Sequence, residues 1–401
     1  MTAPRLSGAQ PFDPFSFASG DALVGREADL QWLQAGLRPG VVSHLSGVAR
    51  MGVSSVVLEA VRTWGASHRS VAARFDLDRH TGSSLSAAAE QVSRLAGTAG
   101  TLPAALLGDL TRLGPEVMNG ALGVRDGEEL PADFLSAIGA LGARAAAAGR
   151  MAAVVIDSCQ RAPEVGGQAW QTDLIAQVQA SRSLCCVIVD RVGGDAAARP
   201  KADGVRQREL GPVDPGRLAA WLEGRWAHRV PSAAGWGEAC VARAGNRPGD
   251  VVMLAYLVSQ HAARQGGGPQ AALEPAFREW VSREQKAAEA CWARLAPPER
   301  KVVVALACGA ALRLGGPDAH RRCGLSSREE VVDALRGAET KGAVERSPSR
   351  GPELSSPTFR GWVLSAQVRL DRAREATQSA PRARLTFDFR VERTRDQRIA
   401  P

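Results

Sequence analysis

Hydrophobic and polar positions divide the first half of the chain into short apolar runs and longer amphipathic segments. The apolar runs, at 41–46, 71–77, within 150–160 and at 183–190, are near-continuous and predict buried strands. Apolar residues at helical spacing fill the intervals, most clearly over 132–149, and Asp21 is the predicted cap of the first helix. Strands that alternate with helices predict an α/β fold, with a parallel sheet covered by helices on both faces.

The second half of the chain has a different pattern. From about residue 211 apolar residues recur at helical spacing, and a double proline at 297–298 begins a further helical unit. In that unit two short helices and a basic β-ribbon precede an arginine-rich tail. These changes predict four parts: an α/β domain at 1–210, a helical domain at 211–295, a smaller domain at 296–366 and a tail at 367–401.

Composition restricts the class of protein. The 401 residues are 45% hydrophobic and 23% charged, as in ordinary globular domains, and no apolar run approaches the ~18 residues of a membrane span. The N-terminal residues lack the apolar core of a secretory signal, so we expect a cytoplasmic protein without membrane contact. The seven cysteines form no C-x-x-C pair and no zinc pattern, which predicts free and mostly buried thiols.

A glycine loop follows the first predicted strand. Residues 47–55, GVARMGVSS, match the phosphate-loop pattern G-x-x-x-x-G-K-[ST] at Gly47, Gly52 and Ser54, but Val53 stands where the pattern has lysine. A strand before the loop and a helix predicted at 54–64 supply the context that a phosphate loop requires. The first 200 residues contain no lysine, so no shifted alignment restores one.

From PFDPF to about residue 366, the chain resembles the archaeal-type ATPases of the STAND/AAA+ group in the order and spacing of its motifs. The segment LVGREADLQWL resembles the family's opening, and Gly25, Arg26 and Glu27 fit the part of it that lies beside the adenine in that family. The family's loop commonly reads G-x-R-R-x-G-K-[ST]-S. Here its positions are held by Gly47, Ala49, Arg50, Gly52, Val53, Ser54 and Ser55.

The resemblance continues beyond the loop. AVVIDSCQ corresponds to the family's four apolar residues followed by D-E-x-Q, with Asp157 and Gln160 retained and Ser158 in place of glutamate. ARAGNRPGDVVML resembles the glycine-proline segment of the lid, with Arg247 near the position of a sensor arginine. LSSPTFRGWVL, at 354–364, resembles the segment that closes the family's winged helix. The resemblance implies a P-loop sheet followed by an α-helical lid and a winged-helix domain.

The two replacements affect different parts of ATPase chemistry. Backbone N–H groups at a helix start still surround a phosphate without the lysine, but a charge-assisted contact of about 1.5–3 kcal/mol is lost. Serine cannot accept a proton from water at neutral pH, which costs roughly 10²–10⁴ in rate. The residues therefore predict a pseudo-ATPase without catalytic residues, which binds no cofactor or binds ATP or ADP weakly. Magnesium would be held by Ser54 and Asp157 if nucleotide binds. The degenerate nucleotide site comprises Gly25, Arg26, Gly47, Arg50, Gly52, Val53, Ser54, Ser55, Asp157, Ser158 and Arg247.

Basic charge indicates a second activity in the predicted winged helix. The net charge is +8 and the pI ≈ 9.6, which permits an anionic partner such as DNA, although a GC-rich bacterial genome explains part of the arginine usage. We predict a recognition helix at 326–342 with Ser326 as its cap, and its acidic residues disfavour phosphate contact. The tail from 369 carries nine arginines against five acidic residues. The candidates for DNA contact are Arg321, Arg322, Arg328, Arg336, Arg346 and Arg350.

Three functions stay open on the sequence alone. The first is a degenerate ATPase-like protein that acts as a DNA-associated or assembly subunit. It would contact duplex DNA mainly through phosphates, with a protein partner or an oligomer. The second is a functional ATPase completed by Arg50 or by a partner subunit. The third is a protein-interaction scaffold that binds neither nucleotide nor DNA.

Overall fold

Five parallel strands form the sheet of the N-terminal part. They are β1 (Val42–Gly47), β2 (Val71–Asp76), β3 (Ala152–Asp157), β4 (Leu184–Arg191) and β5 (Val205–Leu210), in the order β2-β3-β4-β1-β5. Val42 of β1 lies opposite Cys186 on one side and Val205 on the other. Because the strands are parallel, the carboxyl ends of β1 and β3 lie at the same edge of the sheet. The predicted α/β fold is confirmed.

The computed structural model describes ten stretches of the chain. They are residues 12–14, 17–68, 70–76, 130–159, 169–191, 203–227, 235–265, 268–309, 319–347 and 351–366.

Helices cover both faces of the sheet, as the sequence predicts. α1 (Glu27–Gln34) and α2 (Val53–His68) share one apolar cluster with Cys185 and its face of the strands. α3 (Leu130–Ala147) and α4 (Ala169–Ala180) share the other with Cys186. Adjacent residues of a strand point to opposite faces, so the two neighbouring cysteines lie in different cores.

The sequence analysis missed one strand of this domain and placed one helix cap wrongly. β5 was not predicted, because its sequence VRQREL is polar; it is an edge strand on which Arg208 Nε donates to Asp29 Oδ1 at 2.6 Å. Asp21 does not cap α1, since it lies in a 3₁₀ helix at Gly20–Ala22 and α1 begins after Arg26 without a side-chain cap. The cap prediction failed because the 3₁₀ turn intervenes.

The helical part consists of α5 (Pro215–Ala227), α6 (Trp236–Ala244), α7 (Pro248–Gln265) and α8 (Pro269–Arg283). Trp226, Trp236 and Trp280 are almost fully buried in its core. Phe12, from the N-terminal segment, is 1% exposed in the same core, and its ring lies 6.0 Å from that of Trp226. Within the described ranges, no helix is both long enough and apolar enough to cross a membrane.

A fourth apolar cluster holds the C-terminal module, which we define as residues 285–366. Its elements are α9 (Gln285–Arg294), α10 (Pro297–Ala307), α11 (Ala319–Cys323), α12 (Arg328–Thr340), the antiparallel hairpin of β6 (Val344–Ser347) and β7 (Gly351–Leu354), and α13 at 357–366. Ser327, not Ser326, caps α12. The extended backbone of Ser327 places its Oγ 3.1 Å from the N–H of Glu330.

Candidate functional site

The glycine loop joins the end of β1 to the first turn of α2. Gly52 has a φ of +83°, a left-handed conformation that favours glycine, and α2 begins at the next residue. Gly47 has no room for a side chain, because a Cβ there would lie 2.8 Å from Val53 Cγ2. The first N–H groups of α2 have no acceptor within the helix. The backbone of a phosphate cradle is present, with the Val53 side chain packed under the loop.

Asp157, the predicted magnesium ligand, is surrounded by protein groups and is 3% exposed. Ser54 Oγ donates to Asp157 Oδ2 at 3.0 Å, so the two predicted metal ligands are adjacent. Arg74 of β2 forms an ion pair with the same carboxylate oxygen, and the N–H of Ser158 donates to Oδ1 at 2.9 Å. Magnesium binds through carboxylate oxygens with near-ideal octahedral geometry. Here a guanidinium already lies against that carboxylate, so the side chains do not fit Mg²⁺ as they stand.

Ser158 lies at the position where the resembled family has glutamate. It is 1% exposed and has a φ of +61°, which is uncommon for a residue other than glycine. A buried hydroxyl supplies no carboxylate to an attacking water. The site geometry therefore offers no general base at this position.

Arg50, which the sequence offers as a replacement for the lysine, faces the helical part formed by α5–α8, which we call the lid. Its Nη1 lies 3.1 Å from Asp250 Oδ1, and its Nη2 lies 3.4 Å from Glu284 Oε1. The guanidinium is 5.6 Å from the ring centroid of Trp280. Its side chain therefore joins the loop to the lid instead of pointing toward a phosphate in the cradle.

The backbone of the loop also contacts the lid. The N–H of Gly249, in the first turn of α7, donates to the carbonyl of Arg50 at 2.9 Å. A Cβ at Gly249 would lie 2.9 Å from Arg50 Cβ and 3.0 Å from its carbonyl oxygen. Only glycine allows so close an approach of the two backbones.

Asp250 lies between these groups and is fully buried. Burial raises the pKa of its carboxyl to about 6, although the neighbouring Arg50 and Arg247 favour the charged form. In the described part of the chain, Asp250 Oδ2 has no hydrogen-bond partner. The free-energy cost of desolvating the carboxylate is thus larger than the stabilisation that its cationic neighbours provide.

Arg247, predicted near a sensor position, connects the lid to the C-terminal module. Its guanidinium donates to the carbonyl oxygen of Ser355 and lies 2.8 Å from Glu345 Oε2. Burial raises the pKa of Glu345 to about 7, with Arg247 opposing. A cavity of about 30 Å³ lies between the loop, Arg247 and the hairpin. That volume is enough for a water molecule.

Arg26, predicted to lie beside an adenine, contacts the glycine loop, and Gly25 and Ser55 also pack against other parts of the chain. Arg26 is 4% exposed, and its Nη2 donates to the carbonyl of Met51 at 2.7 Å. Gly25 has a φ of +69°, and a Cβ there would lie 2.6 Å from a methyl group of Val213. Ser55 Oγ accepts from the N–H of Ala18 at 3.2 Å. These contacts give Arg26 and Ser55 structural partners within the chain.

The described residues among the predicted DNA contacts lie on three elements of the C-terminal module, α11, α12 and β6. Arg336 Nη1 lies 3.5 Å from Asp333 Oδ1, and Arg346 Nε donates to Glu339 Oε1 at 2.8 Å. Arg321 and Arg322 are exposed on α11, and Arg328 is exposed at the start of α12. Arg350, Gln160 and the tail from 367 lie outside the described residues.

Sequence reasoning missed the residues that fill the site, chiefly Arg74, Gly249, Asp250 and Glu284. Arg74 has a signal in the sequence, since an arginine inside an apolar parallel strand needs a buried carboxylate nearby. Asp250 has no such signal in the sequence, because acidic residues are common in the first turn of a helix. Within the described residues, no group of three or more histidine, cysteine or acidic side chains is placed to hold a metal.

Solved structures share this fold. The chain is similar to a Walker-type ATPase of Pyrococcus abyssi, with a TM-score of 0.56 and 13% identity over 89% of this chain and 99% of that one. It also matches the ORC1 protein of Aeropyrum pernix, solved in complex with DNA, with a TM-score of 0.48 and 16% identity over 88% and 95% of the two chains. No protein-family model matches, and no curated protein matches. At such identities the likeness to the first structure establishes the P-loop ATPase fold alone.

Proposed function

We propose that this protein is a pseudo-ATPase that serves as a DNA-associated or assembly subunit. The observation that carries the proposal is the engagement of Asp157 by Arg74 and Ser54, beside a loop in which Val53 replaces the lysine. In a working site of this fold the carboxylate serves the metal and a lysine serves the phosphates. Here the cation beside the carboxylate of Asp157 is the guanidinium of Arg74.

Internal ion pairs give the loop a structural role in this proposal. Arg50 joins the loop to Asp250 and Glu284 of the helical segments, and Arg247 continues the connection to the hairpin of the C-terminal module. The contacts connect the three parts of the chain through the protein's own side chains. A fixed arrangement of this kind suits a subunit that presents surfaces to partners.

The same contacts weigh against a functional ATPase completed by Arg50. For Arg50 to reach a phosphate, it would have to leave a fully buried Asp250, and an unpaired buried carboxylate is strongly destabilising. Completion by a partner subunit would still require Arg74 to leave Asp157. Neither rearrangement is needed if the protein does not hydrolyse ATP.

DNA association is proposed from the C-terminal module. Its three helices α10–α12 followed by a hairpin have the order of a winged helix, a common DNA-binding arrangement. The net charge of +8 favours an anionic partner, such as the phosphate backbone of DNA, over a neutral or basic one.

Phosphate release from Mg-ATP tests the first half of the proposal. We expect the purified full chain to release no phosphate above the protein-free blank. Asp157→Ala is the matched control, because it removes the metal carboxylate. Magnesium-dependent release that disappears in Asp157→Ala would show that the site turns over and would overturn the proposal.

Nucleotide affinity tests the role assigned to Arg74. We expect calorimetry to give weak or undetectable ATP binding, and Val53→Lys to tighten it by about one to two decades. In the Val53→Lys background, Arg74→Gln should tighten ATP further with magnesium present and not with EDTA, because it frees Asp157 for the metal. Tight ATP binding by the unmodified chain would contradict the assignment.

A further inference from the structure

We propose that a groove between α10 and α11 binds the phosphodiester backbone of duplex DNA. This inference rests on the proposed DNA association and names the surface responsible for it. The groove has a volume of about 760 Å³. Among the described residues that line it, four are cationic and none is acidic. They are Arg300, Lys301, Arg321 and Arg322, with Trp292 and Cys308 beside them.

Two of these cations are held in place by the module. The guanidinium of Arg300 lies 5.4 Å from the ring centroid of Trp292, and its Nε is buried without a hydrogen-bond partner in the described part of the chain. Lys301 Nζ donates to the carbonyl of Gly324, after α11, at 2.9 Å. Charges that are already ordered lose less side-chain entropy when a phosphate binds.

The predicted recognition helix offers a poorer surface for phosphates. Glu329 and Glu330 lie in the first turn of α12, and Asp333 is 74% exposed one turn later beside Arg336. Arg346 of the hairpin already pairs with Glu339. Phosphates approaching α12 would meet carboxylates, whereas the described lining of the α10–α11 groove presents only positive charge.

The placement of α11 favours duplex DNA as the occupant. In a helix-turn-helix unit the first helix crosses the DNA backbone while the second approaches the bases. α11 holds the place of that first helix, since the short turn at residues 324–327 joins it to α12. Arg321 and Arg322 are exposed on α11, and the cations of α10 extend the same surface.

Cys308 provides a probe inside the groove of the full-length protein. It is the one exposed cysteine among the seven, all of which lie in the described residues; five others are buried and Cys291 is half-buried. The rate of alkylation by iodoacetamide is followed by mass spectrometry, with and without a saturating 20-base-pair duplex. We expect the duplex to slow alkylation of Cys308 several-fold.

Paired charge variants measure the contribution of the groove. Arg321→Ser with Arg322→Ser removes two cations from it, and Arg264→Ser with Arg278→Ser removes two exposed arginines from the lid as a matched control. Loss of two phosphate contacts should make the slope of log K against log salt shallower by about 1.8. Between ~1 M and ~0.1 M salt, the affinity of the unmodified protein should therefore rise ~60-fold more than that of the groove pair. The lid pair should change neither the slope nor the affinity appreciably. The groove pair should weaken binding to two duplexes of unrelated sequence equally.

The outcomes separate the inference from the proposed function. Slower Cys308 alkylation together with a selective loss in the groove pair supports the inference. If the duplex binds but Cys308 reacts at an unchanged rate and the groove pair matches the lid pair, the groove assignment is wrong while DNA association stands. Tighter binding of the corresponding single strand would overturn the choice of duplex. Absence of any binding at ~20 mM salt would contradict DNA association itself.

Discussion

Asp250 should make the protein less stable as pH rises, and replacing it with asparagine should remove that effect. The carboxyl group is fully buried beside Arg50, with one oxygen lacking a hydrogen-bond partner in the described part of the chain. Burial raises its pKa from 3.8 to about 6. An asparagine side chain at this position would keep the shape and an acceptor for Arg50, but it would carry no charge at any pH.

The sign and size follow from proton linkage. Because the folded pKa lies above the unfolded one, the protonated carboxyl stabilises the fold below about pH 4, and this stability is lost as pH rises through 6. The difference between a pKa of 3.8 and one of about 6 corresponds to about 3 kcal/mol. We therefore expect the Asp250→Asn variant to equal the unmodified protein near pH 4 and to exceed its free energy of unfolding by up to about 3 kcal/mol above pH 7.

Urea denaturation at several pH values from 4 to 8, followed by tryptophan fluorescence, measures this difference. Asp333→Asn is the control, since Asp333 is 74% exposed and its replacement should change stability by less than about 0.5 kcal/mol at every pH. A difference curve that is flat for Asp250→Asn would refute the reasoning. A variant that becomes less stable than the unmodified protein as pH rises would show that the ion pair with Arg50 outweighs burial.

Two further substitutions test the packing around the loop and the N-terminal segment. Gly249→Ala should destabilise the protein by about 1–3 kcal/mol in thermal or urea unfolding, because its Cβ would meet the loop backbone. The control is Gly224→Ala on α5, where a Cβ meets no neighbouring atom, and it should stabilise by up to about 1 kcal/mol in the same assay. Similar effects of the two would contradict the close approach. Phe12→Ala should cost about 3–5 kcal/mol, since its ring is buried among tryptophans, and Phe17→Ala, 44% exposed, should cost far less. Equal stabilities would mean that the segment does not dock.

The sequence alone determined the features that depend on local pattern. Near-continuous apolar runs such as residues 152–157 predict buried parallel strands, because burial on both faces removes the alternation of polar residues. Gly47 and Gly52 predict the loop, since the backbone path between a strand and a helix requires them. Val53 and Ser158 predict the loss of a cation and of a base, because those side chains lack the functional groups whatever surrounds them.

Only the tertiary structure decided which groups meet at the loop. Arg50 and Asp250 are 200 residues apart, and Arg74 and Asp157 are 83 residues apart, so no periodicity links either pair. Polar β5 lies at the edge of the sheet, where Arg206 and Arg208 have hydrogen-bond partners on α1 that a hydrophobic pattern does not reveal. Periodicity reports whether a position is buried. The partner of a buried charge depends on which ends of the chain's elements meet in space, and at this loop those partners are the protein's own side chains.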